Sequence, residues 1–358
     1  MAANPCAARR LLPCRTCESV FLVVTPSSTA PLRVGILGAA RIAPTALIHP
    51  ARHVEGAIVT AVAARDRRRA AAFGHRHSIP VVHSSYQDLI DDADVDVIYN
   101  PLPNGLHGVW SCQAMAAGKS VLCEKPLAAN ADEAGRMVAA ARASGVRLVE
   151  AFHYRYHRLI TRTLEILASG EIGDARHYEA SFIVPIFRGG DIRYRFDLAG
   201  GATMDLGCYP IHLIRTLAGA EPQVVDAEAV EGPPNIDRGM RVTLRFDDGR
   251  SARIRCSMWS PRVLQLSAHV QGTAGSIDIL NPIAPQIYNQ LRVTASGKTR
   301  REHVRGPASY TEQLRAFVRA VDSETPLPTE GEDSIANMRV IDAVYRAAGL
   351  PLRQPARG

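Results

Sequence analysis

From residue 32 onward the chain alternates short apolar runs with longer amphipathic stretches. The runs at 32–37, 58–63, 95–99, 120–123 and 147–151 have strand length and carry β-branched residues. Between them the spacing becomes helical, as at 105–117. Asn130-Ala-Asp-Glu133 offers an N-cap with an acid three residues on. Met137, Val138 and Ala141 then share a face, and Gly145 stands just past the end. Ser84-Ser-Tyr-Gln87 has similar opening chemistry. Strands alternating with helices at this interval predict a doubly wound parallel α/β sheet over 32–151, the Rossmann arrangement.

After Phe152 the rhythm changes. A helix at 157–169, a strand at 175–184 and a helix at 205–218 precede strands at 223–230, 240–247, 251–258, 263–271, 275–280 and 290–295. Strands without intervening helices predict an α+β domain, 152–330, with a large, mostly antiparallel open sheet. Helices at 309–323 and 332–348 complete the pattern. Residues 331–358 are expected to pack back on the first domain as a helix and tail.

Composition narrows the class. The 358 residues are 46% hydrophobic and 22% charged, as in soluble globular proteins, and the length favours two domains. A net charge of +7 raises the question of nucleic acid, but the arginines are scattered. The one dense run, Arg65-Asp-Arg-Arg-Arg69, opens an amphipathic segment, so no nucleic-acid partner is expected. No run approaches the ~20 apolar residues of a membrane span. Seven cysteines without a regular framework point to reduced thiols in the cytoplasm. Cys14-Arg-Thr-Cys17 has metal-ligand spacing but no second pair, so no metal is expected. Residues 1–31 contain Arg9-Arg10 but no adequate h-region, and read as a flexible extension.

Gly38-Ala39-Ala40-Arg41-Ile42 lies between the first strand and the first helical segment. A glycine permits the tight turn there, and the following helix start offers N–H groups to a pyrophosphate. Ala40 occupies the place of the second glycine. At the end of the second strand, Ala64-Arg65 suits a 2′-phosphate and favours NADP, while Asp66 leaves NAD open through a ribose contact.

The chain has only three lysines, Lys119, Lys125 and Lys298, among its 42 cationic residues. One of them ends the 120–123 strand in Glu124-Lys125-Pro126. Unlike arginine, a lysine can have its pKa shifted and take part in proton transfer. With Pro103-Asn104-Gly-Leu-His107 after the preceding strand, these motifs in this order resemble the Gfo/Idh/MocA oxidoreductase family over residues 32–350. The resemblance implies that Pro103, Asn104, His107, Glu124 and Lys125 join the cofactor turn in binding the dinucleotide.

The family's second-domain pattern is an aspartate, a glycine two residues on, and an aromatic or imidazole acid two further. Here it reads Asp205-Leu-Gly-Cys-Tyr209, with His212 following, and resembles the tyrosine-containing branch. As a bare pattern, i, i+4 and i+7 on a helix also fit a face with a buried tyrosine. Paired with Lys125, the residues are expected to act as follows. Tyr209 exchanges the proton, Lys125 polarises the substrate oxygen and lowers the Tyr209 pKa, and Asp205 orients substrate or lysine. His212 is a candidate for a substrate hydroxyl, with a structural role equally open. Arg155 is a candidate for the substrate rim, as are Tyr156, Arg193 and Tyr194. The resemblance implies hydride transfer between NADP or NAD and a hydroxyl or carbonyl carbon of a sugar, polyol or cyclic diol, by a homo-dimer or homo-tetramer. The competing reading is a non-catalytic dinucleotide-binding regulator of the same fold.

Overall fold

The computed structural model describes residues 30–186, 190–260, 264–321, 323 and 325–357. Nearly all of the 1–31 extension, with Cys14 and Cys17, lies outside them. The first sheet comprises β1 (Leu32–Leu37), β2 (Ala57–Ala63), β3 (Val81–His83), β4 (Val97–Asn100), β5 (Ser120–Cys123) and β6 (Leu148–Glu150). They are parallel throughout, in the order β3-β2-β1-β4-β5-β6. The order reverses between β1 and β4, where doubly wound sheets open their ligand crevice.

The crossovers hold α1 (His49–Ala51), α2 (Arg67–His77), α3 (Tyr86–Ile90), α4 (His107–Ala116) and α5 (Ala131–Ser144). Local chemistry explains their ends. Asn130 caps α5 by accepting from Glu133 N–H, the Glu133 carboxylate reaches back to Ala129 N–H, and Gly145 closes the helix at φ 64°. The cap of α3 is Ser85, accepting from Asp88, one residue later than the pattern predicts. The segment after β1 begins as a π-type turn, Pro44–Ile48, running into α1.

The second sheet comprises β7 (Ala175–Ile183), β8 (Gln223–Glu231), β9 (Asp237–Arg245), β10 (Ser251–Ser257), β11 (Gln265–Gly272), β12 (Gly275–Leu280), β13 (Gln290–Ala295) and β14 (Lys298–Glu302). Its order is β14-β13-β12-β11-β7-β10-β9-β8, antiparallel except where β7 lies parallel to β10. The sequence pattern omits β14 because Lys-Thr-Arg-Arg-Glu has no apolar alternation, a composition suited to an edge. Tyr178, Ala180, Val242, Ile254 and Val270 are buried on one face of this sheet. The helices α7 (Cys208–Ala218) and α9 (Glu332–Ala347) pack on the same sheet. Across the other face runs a polar row in register: Arg253, Glu179, His269, Asp278 and Arg292.

Two helices link the stretches read from sequence. Besides α6 (Arg158–Ala168), the second stretch contributes α8 (Ser309–Val321), whose Leu314 and Phe317 join the core formed by Leu47, Ile48 and Val54. Its apolar face thus belongs to the first sheet's layer. Helix α9 receives Ala131 N–H at Asp342 (3.1 Å), while Glu150 N–H donates to Thr329 O along the β6 edge (2.9 Å).

Candidate active site

The crevice is built from the loops that follow β1, β2, β4 and β5. Gly38 turns the chain at φ 90°, and its N–H bonds Ala63 O at 2.6 Å. A Cβ at Gly38 would lie 3.0 Å from Leu102 in the loop after β4, so a side chain there would be strained and crowded. Ala39 and Ala40 are half-buried, Arg41 and Ile42 are exposed, and no side chain caps the turn that follows. Asp66 is committed elsewhere: its Oδ1 accepts from Arg68 and Arg69 N–H and starts α2. Arg65 beside it stays exposed.

Asn104 Nδ2 donates to Ala199 O at 3.1 Å, tying the loop after β4 to the second half of the molecule. His107 departs from its expected cofactor role. It is fully buried, with Nδ1 2.9 Å from Pro126 O and Nε2 2.8 Å from Leu102 O. Burial holds its pKa down to about 4, although the two carbonyls pull the other way. It clamps the two loops together instead of facing a ligand. Glu124 also turns inward: it is buried and accepts from Tyr99 OH at 2.7 Å, and burial raises its pKa.

Lys125, joined to Pro126 by a cis peptide, points across to the second half. Its Nζ donates to Asp205 O at 2.8 Å and to Asp205 Oδ1 at 3.3 Å, and its side chain is 12% exposed. Burial lowers the Lys125 pKa, but Asp205, helped by Cys208 and Glu124, outweighs it and the net shift is upward. The opposite balance holds for Asp205. Burial raises it, and Lys125 with Arg193 brings it below the usual carboxylate value.

Tyr209 lies under this ammonium, with Lys125 Nζ 4.9 Å from the ring centroid. The lysine therefore meets the ring face, and the expected lowering of the phenol does not occur. Burial pushes Tyr209 well above the ordinary tyrosine value. Phe152, His153, Tyr154 and Phe182 surround it, with ring centroids at 5.4, 6.1, 6.0 and 5.3 Å.

His212 is not in this group. The residues before α7 form a π-type turn, Thr203–Gly207, which changes the angular phase on which the i, i+4, i+7 face depends. His212 is fully buried and stacked on Phe152, with Nδ1 2.5 Å from Tyr154 OH and Nε2 2.9 Å from Asp333 Oδ2. Both nitrogens are used, so the structural alternative applies. Arg155 is half-buried in the electrostatic neighbourhood of Tyr154, Tyr156 and His212.

Sequence reasoning gave too little weight to Arg193 and did not raise Asp191. Arg193 Nε donates to Asp205 Oδ2 at 2.6 Å and Nη1 to Asp191 Oδ1 at 3.0 Å. Asp191 Oδ2 in turn lies 3.4 Å from Arg41 Nη2 in the first turn. Alternating charges therefore run from the cofactor turn to Lys125. Tyr310, stacked on His153 at 3.8 Å, is a further neighbour with no motif to announce it. Among the described residues, no cluster of three His, Cys, Asp or Glu side chains could hold a metal.

A switch-point crevice with an uncapped glycine turn, facing a lysine–aspartate pair supplied by both halves, defines a dinucleotide-dependent oxidoreductase. Residues 32–152 match the model of an oxidoreductase family with an NAD-binding Rossmann fold, and 160–278 match the GFO/IDH/MocA C-terminal domain. The chain belongs to the Gfo/Idh/MocA oxidoreductase family. It is 37% identical over 319 residues to D-xylose 1-dehydrogenase (NADP(+)) 2 of Haloferax volcanii, covering 88% of this chain and 96% of that protein. It is 36% identical over 228 residues to trans-1,2-dihydrobenzene-1,2-diol dehydrogenase of Oryctolagus cuniculus, covering 63% of this chain and 68% of that one. A 3-ketoreductase from Actinomadura kijaniata, crystallised with NADP and TDP-benzene, superposes with a TM-score of 0.83 at 30% identity, covering 88% of this chain and 98% of that one.

Proposed function

We propose that this protein is an NADP-preferring reductase or dehydrogenase acting on a carbonyl or hydroxyl carbon of a sugar-like substrate. The observation that carries the reading is the convergence of Lys125, Asp205 and Tyr209 at the crevice. The Gly38–Ile42 turn takes the pyrophosphate, and exposed Arg65 takes the 2′-phosphate, since Asp66 is spent on capping. A nicotinamide dinucleotide held by these residues would supply or accept the hydride.

The chain's own groups manage charge and proton. Lys125 stays an ammonium because Asp205 holds its proton on, so it acts as a fixed positive charge against the substrate oxygen. Tyr209 stays a neutral phenol, a donor rather than a base, which favours carbonyl reduction. Asp205 orients the lysine. The polar row Arg253, Glu179, His269, Asp278 and Arg292 pairs opposite charges across an open face, and supports assigning the protein to a homo-oligomer. Free Cys112, Cys123, Cys208 and Cys256 support a reducing, cytoplasmic setting.

The test is a spectrophotometric screen with NADPH and NADH against aldoses, inositols and keto sugars, together with Lys125→Met. Turnover that collapses in the variant while NADPH binding holds supports the enzyme. Tight NADPH binding with no turnover anywhere in the panel would overturn it in favour of a regulator.

A further inference from the structure

Arg353 lies in the tail after α9, yet it is completely buried, which is rare for arginine unless it is paired. Its Nη2 donates to Asp237 Oδ1 at 2.9 Å, and Asp237 is as fully buried. Its Nε donates to Gly200 O at 2.6 Å, its Nη1 to Pro351 O at 2.9 Å, and its guanidinium stacks 4.1 Å from the Tyr345 ring centroid. The other Asp237 oxygen accepts from Thr203 N–H (2.6 Å) and Thr203 Oγ1 (2.7 Å). Thr203 opens the turn that carries Asp205, whose own N–H bonds Gly201 O at 3.0 Å. Gly201, at φ 138°, wraps so closely that a Cβ there would collide with Asp237, Tyr345 and Arg353.

The tail also reaches the first domain. Asn130 Nδ2 donates to Arg353 O at 2.8 Å, and Ala356 N–H donates to Gly105 O at 2.7 Å. Gly105 follows Asn104 in the loop after β4, and Asn104 itself bonds Ala199, next to Gly200. Eight residues of tail therefore touch Gly200 and, through Asp237, the Asp205 turn, together with the Asn104 loop and the start of α5. A tail needed only to end α9 would not bury a guanidinium between them.

We propose that residues 350–357 are a strap that positions the Asp205 turn against the Asn104 loop, with Arg353 as its anchoring, positioning residue. The strap's link to catalysis rests on the functional reading above, but its mechanical role does not.

The test uses full-length Arg353→Ala and Ala356→Pro. Removing one partner of a buried ion pair can unfold a protein. The second variant removes the half-exposed donor to Gly105, at a position that already follows a proline. Hydrogen exchange is measured by peptide, NADPH affinity by fluorescence, and turnover with whichever sugar the wild type reduces. In Arg353→Ala, exchange is expected to rise by about tenfold or more in peptides covering 200–210 and 100–110, with the β11–β13 peptides unchanged. Ethylguanidinium at millimolar concentration should reverse the rise. Ala356→Pro should weaken NADPH binding by about three- to tenfold, the worth of one net hydrogen bond, at an unchanged melting temperature. Exchange that rises uniformly or nowhere overturns the strap. If Arg353→Ala does not fold, unchanged NADPH affinity in Ala356→Pro overturns it alone. A wild type that reduces no sugar removes the functional reading, and the exchange and affinity results still decide the strap.

Discussion

Lys125 donates twice to one residue, to the Asp205 carbonyl at 2.8 Å and to its carboxylate at 3.3 Å. Fixing the ammonium from backbone and side chain together leaves it little rotational freedom beside Tyr209. Asp205→Asn tests the electrostatic half of this arrangement. With the anion gone, burial and Arg193 act on Lys125 against only Cys208 and Glu124, so its pKa falls and the ammonium is lost at a lower pH. The alkaline limb of the pH profile of kcat/KM should move to lower pH, with kcat down on the order of 10²-fold. An unmoved alkaline limb would show that the carboxylate does not hold the lysine's proton.

Tyr209→Phe isolates the phenol. Carbonyl reduction should fall by about 10²- to 10⁴-fold, the usual worth of a positioned proton donor. Because burial keeps the phenol protonated well above its ordinary range, the residual pH dependence of reduction below pH 10 should be unchanged in form. A limb near neutrality that disappears in Tyr209→Phe would mean that the phenol ionises there after all.

Cofactor choice separates two adjacent residues. Arg65→Ala should raise KM for NADPH by about 10- to 100-fold, the range for a charge-assisted hydrogen bond, and leave NADH nearly untouched. Asp66→Ala should instead cost about 1 kcal/mol of stability through the lost α2 cap and leave the NADPH-to-NADH ratio alone. Steady-state kinetics with both cofactors, alongside melting curves, check the pair. A ratio that shifts in Asp66→Ala would return the carboxylate to the ribose.

What could be read in the sequence was local. Gly38, Glu124-Lys125-Pro126 and Asp205-x-x-x-Tyr209 carry their meaning within a few residues, and the alternation of strands and helices ordered them along a doubly wound sheet. What could not be read depended on partners far along the chain. His107 looked like a ligand because nothing nearby says that the carbonyls of Leu102 and Pro126 will enclose it. His212 was open to a substrate or a structural role, and only the contacts with Tyr154 and Asp333 made on folding decide for the second. The Arg193–Asp205 and Arg353–Asp237 pairs are contacts that only folding creates.

Glu150 supplies the last prediction. It is fully buried, its Oε1 accepts from Leu127 N–H at 2.8 Å, and its Oε2 has no partner among the described residues. Burial, reinforced by Asp333 and opposed by Ser334, Leu127 N–H and Arg215, raises its pKa to about 8. The folded state therefore binds a proton that the unfolded chain releases near 4.5. A raised folded pKa means that this group's stabilisation is complete below 4.5 and is lost as pH climbs through 8. Glu150→Gln keeps the shape and the acceptor for Leu127 but cannot ionise. Other buried carboxylates titrate too, so the informative quantity is the difference between wild type and variant. The variant should gain on the wild type steadily from pH 5 to pH 8 and level off above, by on the order of a few kcal/mol in denaturant unfolding. Parallel curves across that window would mean that Glu150 is charged in the folded protein.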